Sequence, residues 1–355
     1  MKFIRKHKKI FILSVIIFIY VSYCLTLDSE EQFKKYTEKA RNSIMAHNFS
    51  NAIRYWQKAI KYKPDDYETL RSLANFLYDI DYKKAKKYFQ QLIKYHGDKK
   101  IRGVAEAYYY LGKIAFEEDD KEQAISYFKK AIEADPTYGK TYASLAIFFE
   151  GEKEIEIYKK GIKNAPDEVE NYIKLFLSYY NEEKYDLSTI SFEELRNLIP
   201  LENATGEILS RIGNLLYGMA NNIETAIVVH KKALEKDDTI ARSYRDLGGI
   251  YKLKGLYEKS EEYYKAAIQY EKDIENFSGL AHLYYILGEY KKTVETLLEC
   301  LKYDDIDSGN TEYIMAMAYY KLGDYKNALY WLEQYDSRDE DIIKFQKYLQ
   351  RKLNQ

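Results

Sequence analysis

From about residue 33 onward the apolar positions recur at helical spacing in bursts of about a dozen residues. Short polar breaks separate them. Two stretches show the pattern best. One is YYYLGKIAFEEDDKEQAISYFKKAIEADP, from Tyr108 to Pro136, and the other is YRDLGGIYKLKGLYEKSEEYYKAAIQY, from Tyr244 to Tyr270. Each predicts two successive helices. Counted from the start of a unit, Leu111-Gly112 and Leu247-Gly248 fall at positions 7 and 8, and Ala115 or Tyr251 at 11. In the second helix Ala124 or Ser260 falls at 20, Phe128 or Tyr264 at 24, and Ala131 or Ala267 at 27. Small residues at 8, 20 and 27 let two helices approach closely, and bulky residues at 4, 7, 11 and 24 fill the remaining gaps. Pro136 stops its helix, because proline lacks an N–H and disfavours helix before it.

The same frame extends in both directions. Units begin near Phe33, Tyr67, Ala105, Gly139, Val169, Gly206, Ala241, Ile274 and Gly309, with steps of 34, 38, 34, 30, 37, 35, 33 and 35 residues. The first unit keeps Ala52, Trp56, Ala59 and Pro64; the ninth keeps Met315-Ala316, Tyr319, Gly323 and Ala328. Cys300 takes the small slot at position 27 of the eighth unit. The fourth unit predicts a shortened turn between its helices, and the fifth is degenerate. This pattern resembles the tetratricopeptide repeat, a helix–turn–helix unit of about 34 residues. The resemblance covers 33–336 and implies an all-α, right-handed solenoid of about nine repeats. Residues 337–355 carry Ile342, Ile343, Phe345, Tyr348 and Leu349 at helical spacing, as expected of a helix capping the last repeat.

The first 27 residues follow another pattern. Residues 1–9 hold five cations and no acid, and Ile10 to Leu27 are uncharged. Eighteen helical residues span about 27 Å, enough for a bilayer core. The run reads as a transmembrane anchor, with Tyr20 and Tyr23 near its far end. A cleaved signal peptide and a lipoprotein signal ending at Cys24 are the alternatives; Tyr23 fits neither cleavage pattern well. The positive-inside rule puts 1–9 in the cytosol and the repeats on the other side, or in the periplasm or outside the cell after cleavage. Ser29-Glu30-Glu31-Gln32 fits an S-x-x-Q capping box, so the first repeat helix is expected to start directly after the anchor.

Composition narrows the chemistry. Lys and Arg number 55 against 56 Asp and Glu, so no bulk charge draws the chain to nucleic acid. Two cysteines exclude a disulfide framework. The histidines, His7, His47, His96, His230 and His282, form no metal-binding spacing. Gly139-Lys140-Thr141 looks like the tail of a phosphate loop, but the repeat frame makes it the turn after Pro136. Anchor, repeats and cap occupy the whole chain, so neither an enzyme nor a cofactor is expected.

What remains is the inner face of the repeats. The family resemblance implies that positions 2, 5, 9 and 12 of each first helix line a concave, partner-binding groove. Position 12 is Tyr78, Phe116, Tyr180, Tyr217, Tyr285 and Tyr320 in six units, and Ile44, Glu150 and Lys252 in the others. An aromatic stripe suits a partner's apolar side chains, with tyrosine hydroxyls supplying hydrogen bonds. Packing on the neighbouring repeat is the alternative. Arg71, Asn75 and Lys140 partly match the family's carboxylate clamp, with Tyr110 and Ser144 at its other two places. Arg242 and Arg245 form a second basic spot near Glu207 and Glu275. Asn48, Asn203 and Asn276 begin N-x-S/T sequons. The reading is a membrane-tethered scaffold that holds a peptide or helical segment of a protein partner. A self-associating subunit of an envelope assembly and an accessory subunit of an envelope enzyme are the alternatives. The anchor predicts full-size protein in the membrane fraction, degraded when protease is added to spheroplasts. A soluble form shortened by about 25 residues would replace it with a cleaved signal.

Overall fold

The computed structural model describes residues 28–182, 185–303, 309–335 and 339–354. The apolar run 10–27 lies outside them. Among the described residues no helix is long and apolar enough to cross a membrane. They form nineteen helices and no strand, in two compact units that meet in sequence at Asn171 and Tyr172. The first unit holds α1 (28–45), α2 (Phe49–Tyr62), α3 (Tyr67–Tyr78), α4 (Tyr82–His96), α5 (Arg102–Glu117), α6 (Lys121–Ala134), α7 (Lys140–Ala146) and α8 (Glu152–Asn164). The second holds most of α9 (Val169–Asn181), then α10 (Phe192–Leu198), α11 (Gly206–Gly218), α12 (Ile223–Lys236), α13 (Ala241–Leu253) and α14 (Tyr257–Tyr270). It continues with α15 (Ile274–Ile286), α16 (Tyr290–Cys300), α17 (Gly309–Lys321), α18 (Tyr325–Gln334) and α19 (Glu340–Leu353). Consecutive helices pack on one another, as α3 on α4, α5 on α6, α7 on α8, α11 on α12, α13 on α14, α15 on α16 and α17 on α18, and α11, α13, α15 and α17 also touch one another in succession.

The tightest contacts lie where the repeat pattern puts small residues. A Cβ at Gly112 would stand 2.7 Å from the Phe128 ring, and one at Gly213 would stand 2.7 Å from His230. At Gly248 it would stand 2.9 Å from Tyr264. Tyr264 is pinched from its other side by Gly279, whose Cβ would lie 2.3 Å away. A ring of the second helix thus lies against bare backbone of the first. Burying an apolar side chain of this size contributes about 2–3 kcal/mol.

The turn inside each pair has a physical signature too. Asp119, Gly255, Gly288 and Gly323 adopt positive φ at the end of a first helix. The following N–H then reaches back five residues, as in Asp120 N to Ala115 O and Asp324 N to Tyr319 O, both near 3 Å. This is a left-handed helix cap. Asp120 and Asp324 next cap the second helix, accepting from the N–H of Gln123 and Asn327.

Three expectations need correction. Ser29 lies inside α1, and its hydroxyl donates to the Tyr62 carbonyl at 3.1 Å, so it makes no capping box there. In the fourth unit the first helix is short, not the turn: α7 has 7 residues and a five-residue link, 147–151, follows. The 30-residue step is four short of 34, and one helical turn absorbs that difference. The Asn276 sequon is closed, because its side chain is buried and its Nδ2 donates to the Glu271 carbonyl. At the far end α19 packs on α18, with Leu349 buried beside Ala316, Ala328 and Leu332.

Gly279→Ala should lower the thermal midpoint, since overpacking costs about 1–3 kcal/mol and exceeds the gain in helix propensity. Gly249→Ala meets only the Tyr264 hydroxyl at 3.5 Å and should hold or raise it. Equal midpoints by circular dichroism would refute the close-approach argument.

Candidate functional site

In each unit the residues proposed for partner binding lie on first helices. In the first unit Arg71 on α3 donates to Glu106 on α5 at 2.9 Å, with Glu68 at 3.9 Å. The bond to Glu106, more than any other neighbour, raises the Arg71 pKa. The clamp assignment therefore loses its arginine to a neighbouring carboxylate. Asn75 on α3 keeps a buried Oδ1 without a protein partner. Tyr78 packs on Tyr110 at 4.5 Å between ring centroids, and Lys113 lies 5.4 Å over its ring. Phe116 is 45 % exposed and meets Phe148 edge-on at 5.6 Å.

Two recesses belong to this unit. One, of about 490 Å³, lies between α1 and α3 and is lined by Phe33, Arg41, Ile44, Trp56 and Phe76. The other, of about 340 Å³, opens beside the shortened α7 and is lined by Ile132, Leu145, Phe149 and Ile157. Lys153 stands 3.9 Å over the Phe149 ring at its edge.

In the second unit Tyr180 is 40 % exposed and donates to the Met219 carbonyl at 3.1 Å. Tyr217 and Tyr285 are half-buried, and burial raises both phenols above their ordinary value. Tyr320 packs edge-on against Phe345 of α19 at 5.0 Å. The stripe is thus shared: Tyr78 and Tyr320 spend much of their surface on neighbouring helices, while Phe116 and Tyr180 stay well exposed. Arg242 on α13 pairs with Glu207 on α11 at 3.3 Å, and Arg245 pairs with Glu275 on α15 at 2.7 Å. These arginines bridge adjacent repeats.

A buried polar group that the repeat pattern did not mark lies within the same unit. His230 is fully buried; its Nδ1 lies 3.2 Å from the Ser243 hydroxyl and its Nε2 lies 3.7 Å from Asp246 Oδ2. Burial pushes the imidazole down to about 4 and raises the Asp246 carboxyl. Each buried group favours its neutral form, so the attraction across 3.7 Å does not outweigh desolvation. Asn214 donates to Asp246 at 3.4 Å. One signal was available: histidine replaces the aromatic residue at position 24 of the sixth unit, opposite Gly213. Among the described residues no cluster of His, Cys, Asp and Glu has a metal-binding arrangement.

Family models described as tetratricopeptide repeat match residues 76–138 and 241–274. No curated protein matches the chain. Similar solved structures include the yeast Tom70, 14 % identical, covering 92 % of this chain and 91 % of that one at a TM-score of 0.41. Pseudomonas aeruginosa PilF is 17 % identical over 69 % of this chain and 97 % of its own, also at 0.41. A tetratricopeptide repeat protein from Parabacteroides merdae is 12 % identical over 90 % and 99 %, at 0.33.

The buried histidine predicts an acid-sensitive fold. Its folded pKa of about 4 lies below the ordinary 6.5, so its contribution is complete above pH 6.5 and is lost as pH falls towards 4. The loss amounts to about 3 kcal/mol. Asp246, raised instead, acts in the opposite direction near the carboxylate range. The urea midpoint of the wild type should fall between pH 6.5 and 4, and that of His230→Gln should fall less. Parallel slopes would remove His230 from the account.

Proposed function

We propose that this chain, a tetratricopeptide-repeat protein, is a non-catalytic scaffold whose first-helix faces hold a peptide or helical segment of a protein partner. One observation carries the reading: aromatic residues hold position 12 in six of the nine first helices and remain partly open to solvent. Tyr180, Tyr217 and Tyr285 form this series in the second unit. Rings with a polar tip supply large contact area and directional hydrogen bonds, the combination that dominates protein interfaces. The arginines between them are paired with glutamates of adjacent repeats, and Tyr264, held between Gly248 and Gly279, fixes the spacing of those repeats before a partner arrives. Preorganisation of this kind lowers the entropic cost of binding.

The apolar run 10–27 and the basic residues before it support tethering to a membrane, with the repeats on the non-cytosolic side. The partner is then another protein of the same envelope. Neither nucleic acid nor a cofactor enters the reading, and self-association of the chain remains compatible with it.

Replacing Tyr180, Tyr217 and Tyr285 together with Ala should reduce cross-linked partner at least about 10-fold in the native host, since such anchors contribute over 1 kcal/mol each. Tyr257→Ala and Tyr330→Ala, on second helices, should leave it unchanged. Undiminished capture by the triple variant, with its helical content intact, would rule out this face.

A further inference from the structure

Resting on the groove reading above, we propose that the second unit takes an acidic side chain of the partner at Gly249, the carboxylate accepting hydrogen bonds from Lys252 and the Tyr264 hydroxyl. The seat is made by an absence. Gly249 holds position 9 of α13, one of the groove positions, and presents no side chain. An added Cβ would meet only the Tyr264 hydroxyl, at 3.5 Å. Asn214 and His282 hold the same position on the flanking helices α11 and α15, so the gap falls between two polar side chains in that row. Tyr264 is 3 % exposed, and Tyr217, Asp246 and Arg245 are the titratable groups that act on its hydroxyl, Arg245 opposing the Asp246 charge.

The cation beside the gap is Lys252, one turn further along the same face of α13. It is half-buried; its Nζ lies 3.3 Å from His282 Nδ1 and 5.8 Å from the centre of the Tyr264 ring. No carboxylate of the described residues pairs with it. Its surroundings depart from the local rule. Arg242 and Arg245 of the same helix each meet a glutamate on the adjacent first helix, whereas Lys252 meets an imidazole. Burial lowers the Lys252 pKa, and burial together with Lys252 lowers that of His282. The ring therefore stays neutral and can accept from the ammonium. A half-buried cation with only neutral partners gains most from an incoming anion, because a charge-assisted bond replaces water that burial has already thinned. Tyr217 and Tyr285, at position 12 on either side of Lys252, can pack against the carbon stem of the same residue or its neighbours.

The test uses full-length protein in detergent and fluorescein-labelled (Glu-Ser)5, (Gln-Ser)5 and (Lys-Ser)5 peptides, read by fluorescence anisotropy. The wild type should prefer the Glu peptide to the Gln peptide by about 10-fold or more. Lys252→Gln should erase the preference, Lys252→Arg should keep most of it, and Lys252→Glu should transfer it to the Lys peptide. Gly249→Leu fills the gap without changing charge and should abolish binding; Gly249→Ala, whose Cβ meets only the Tyr264 hydroxyl at 3.5 Å, should weaken it with the melting curve kept. Lys326→Gln, on α18, should behave as wild type. No preference in the wild type, a preference surviving Lys252→Gln or Gly249→Leu, or an equal loss in Lys326→Gln would each overturn the assignment. Absent preference with tyrosine-dependent partner capture intact removes the acidic seat alone. Intact preference with tyrosine-independent capture removes the groove reading of the native partner.

Discussion

The repeat depends on one contact: a ring on the second helix lying against a residue of the first that has little or no side chain. Gly112 under Phe128, Gly213 under His230 and Gly248 under Tyr264 are three instances. Helices normally pack 8–10 Å apart, with the distance set by the residues between them. A glycine at the crossing lets the pair close to the lower end, and the ring then fills what would otherwise be a void. Tyr264 shows how this propagates. Gly279, on the next first helix, receives its other face, so one side chain joins two consecutive repeats and sets their spacing.

That spacing decides which polar groups can meet. Arg71 reaches Glu106, Arg242 reaches Glu207 and Arg245 reaches Glu275, each from one first helix to the next. Pairs as exposed as these contribute roughly 0–1 kcal/mol, far less than ring burial. Their consequence is electrostatic: they neutralise arginines that would otherwise give these helix faces a general attraction for anions. Against that neutralised background the lysine at 252, partnered by a histidine, stands out as a local feature of the second unit.

His230 shows the same packing rule producing a liability. Its position requires a ring, and imidazole satisfies the shape. It also carries two nitrogens into an apolar site, where Ser243 addresses one and Asp246 approaches the other only at 3.7 Å. Burial then ties stability to pH in a way that phenylalanine at the equivalent place in the third unit, Phe128, avoids.

Sequence alone determined the helices and their pairing. Spacing of Leu, Gly, Ala and aromatic residues located the first helices beginning at Tyr67, Val169, Gly206, Ala241, Ile274 and Gly309, at the same residues as in the structure. It did so because steric fit between two helices is a local, periodic property. The positions proposed for the groove came from the family resemblance, with Lys252 an exception in the aromatic stripe. Tertiary structure decided the partners. That Arg71 is spent on Glu106, that Ser29 bonds Tyr62 instead of capping, and that a missing turn shortens α7 all depend on residues 20 to 35 positions away or on how a whole repeat absorbs a deletion. Such contacts leave no period in the chain, since they arise only when packing brings separate repeats to a common distance.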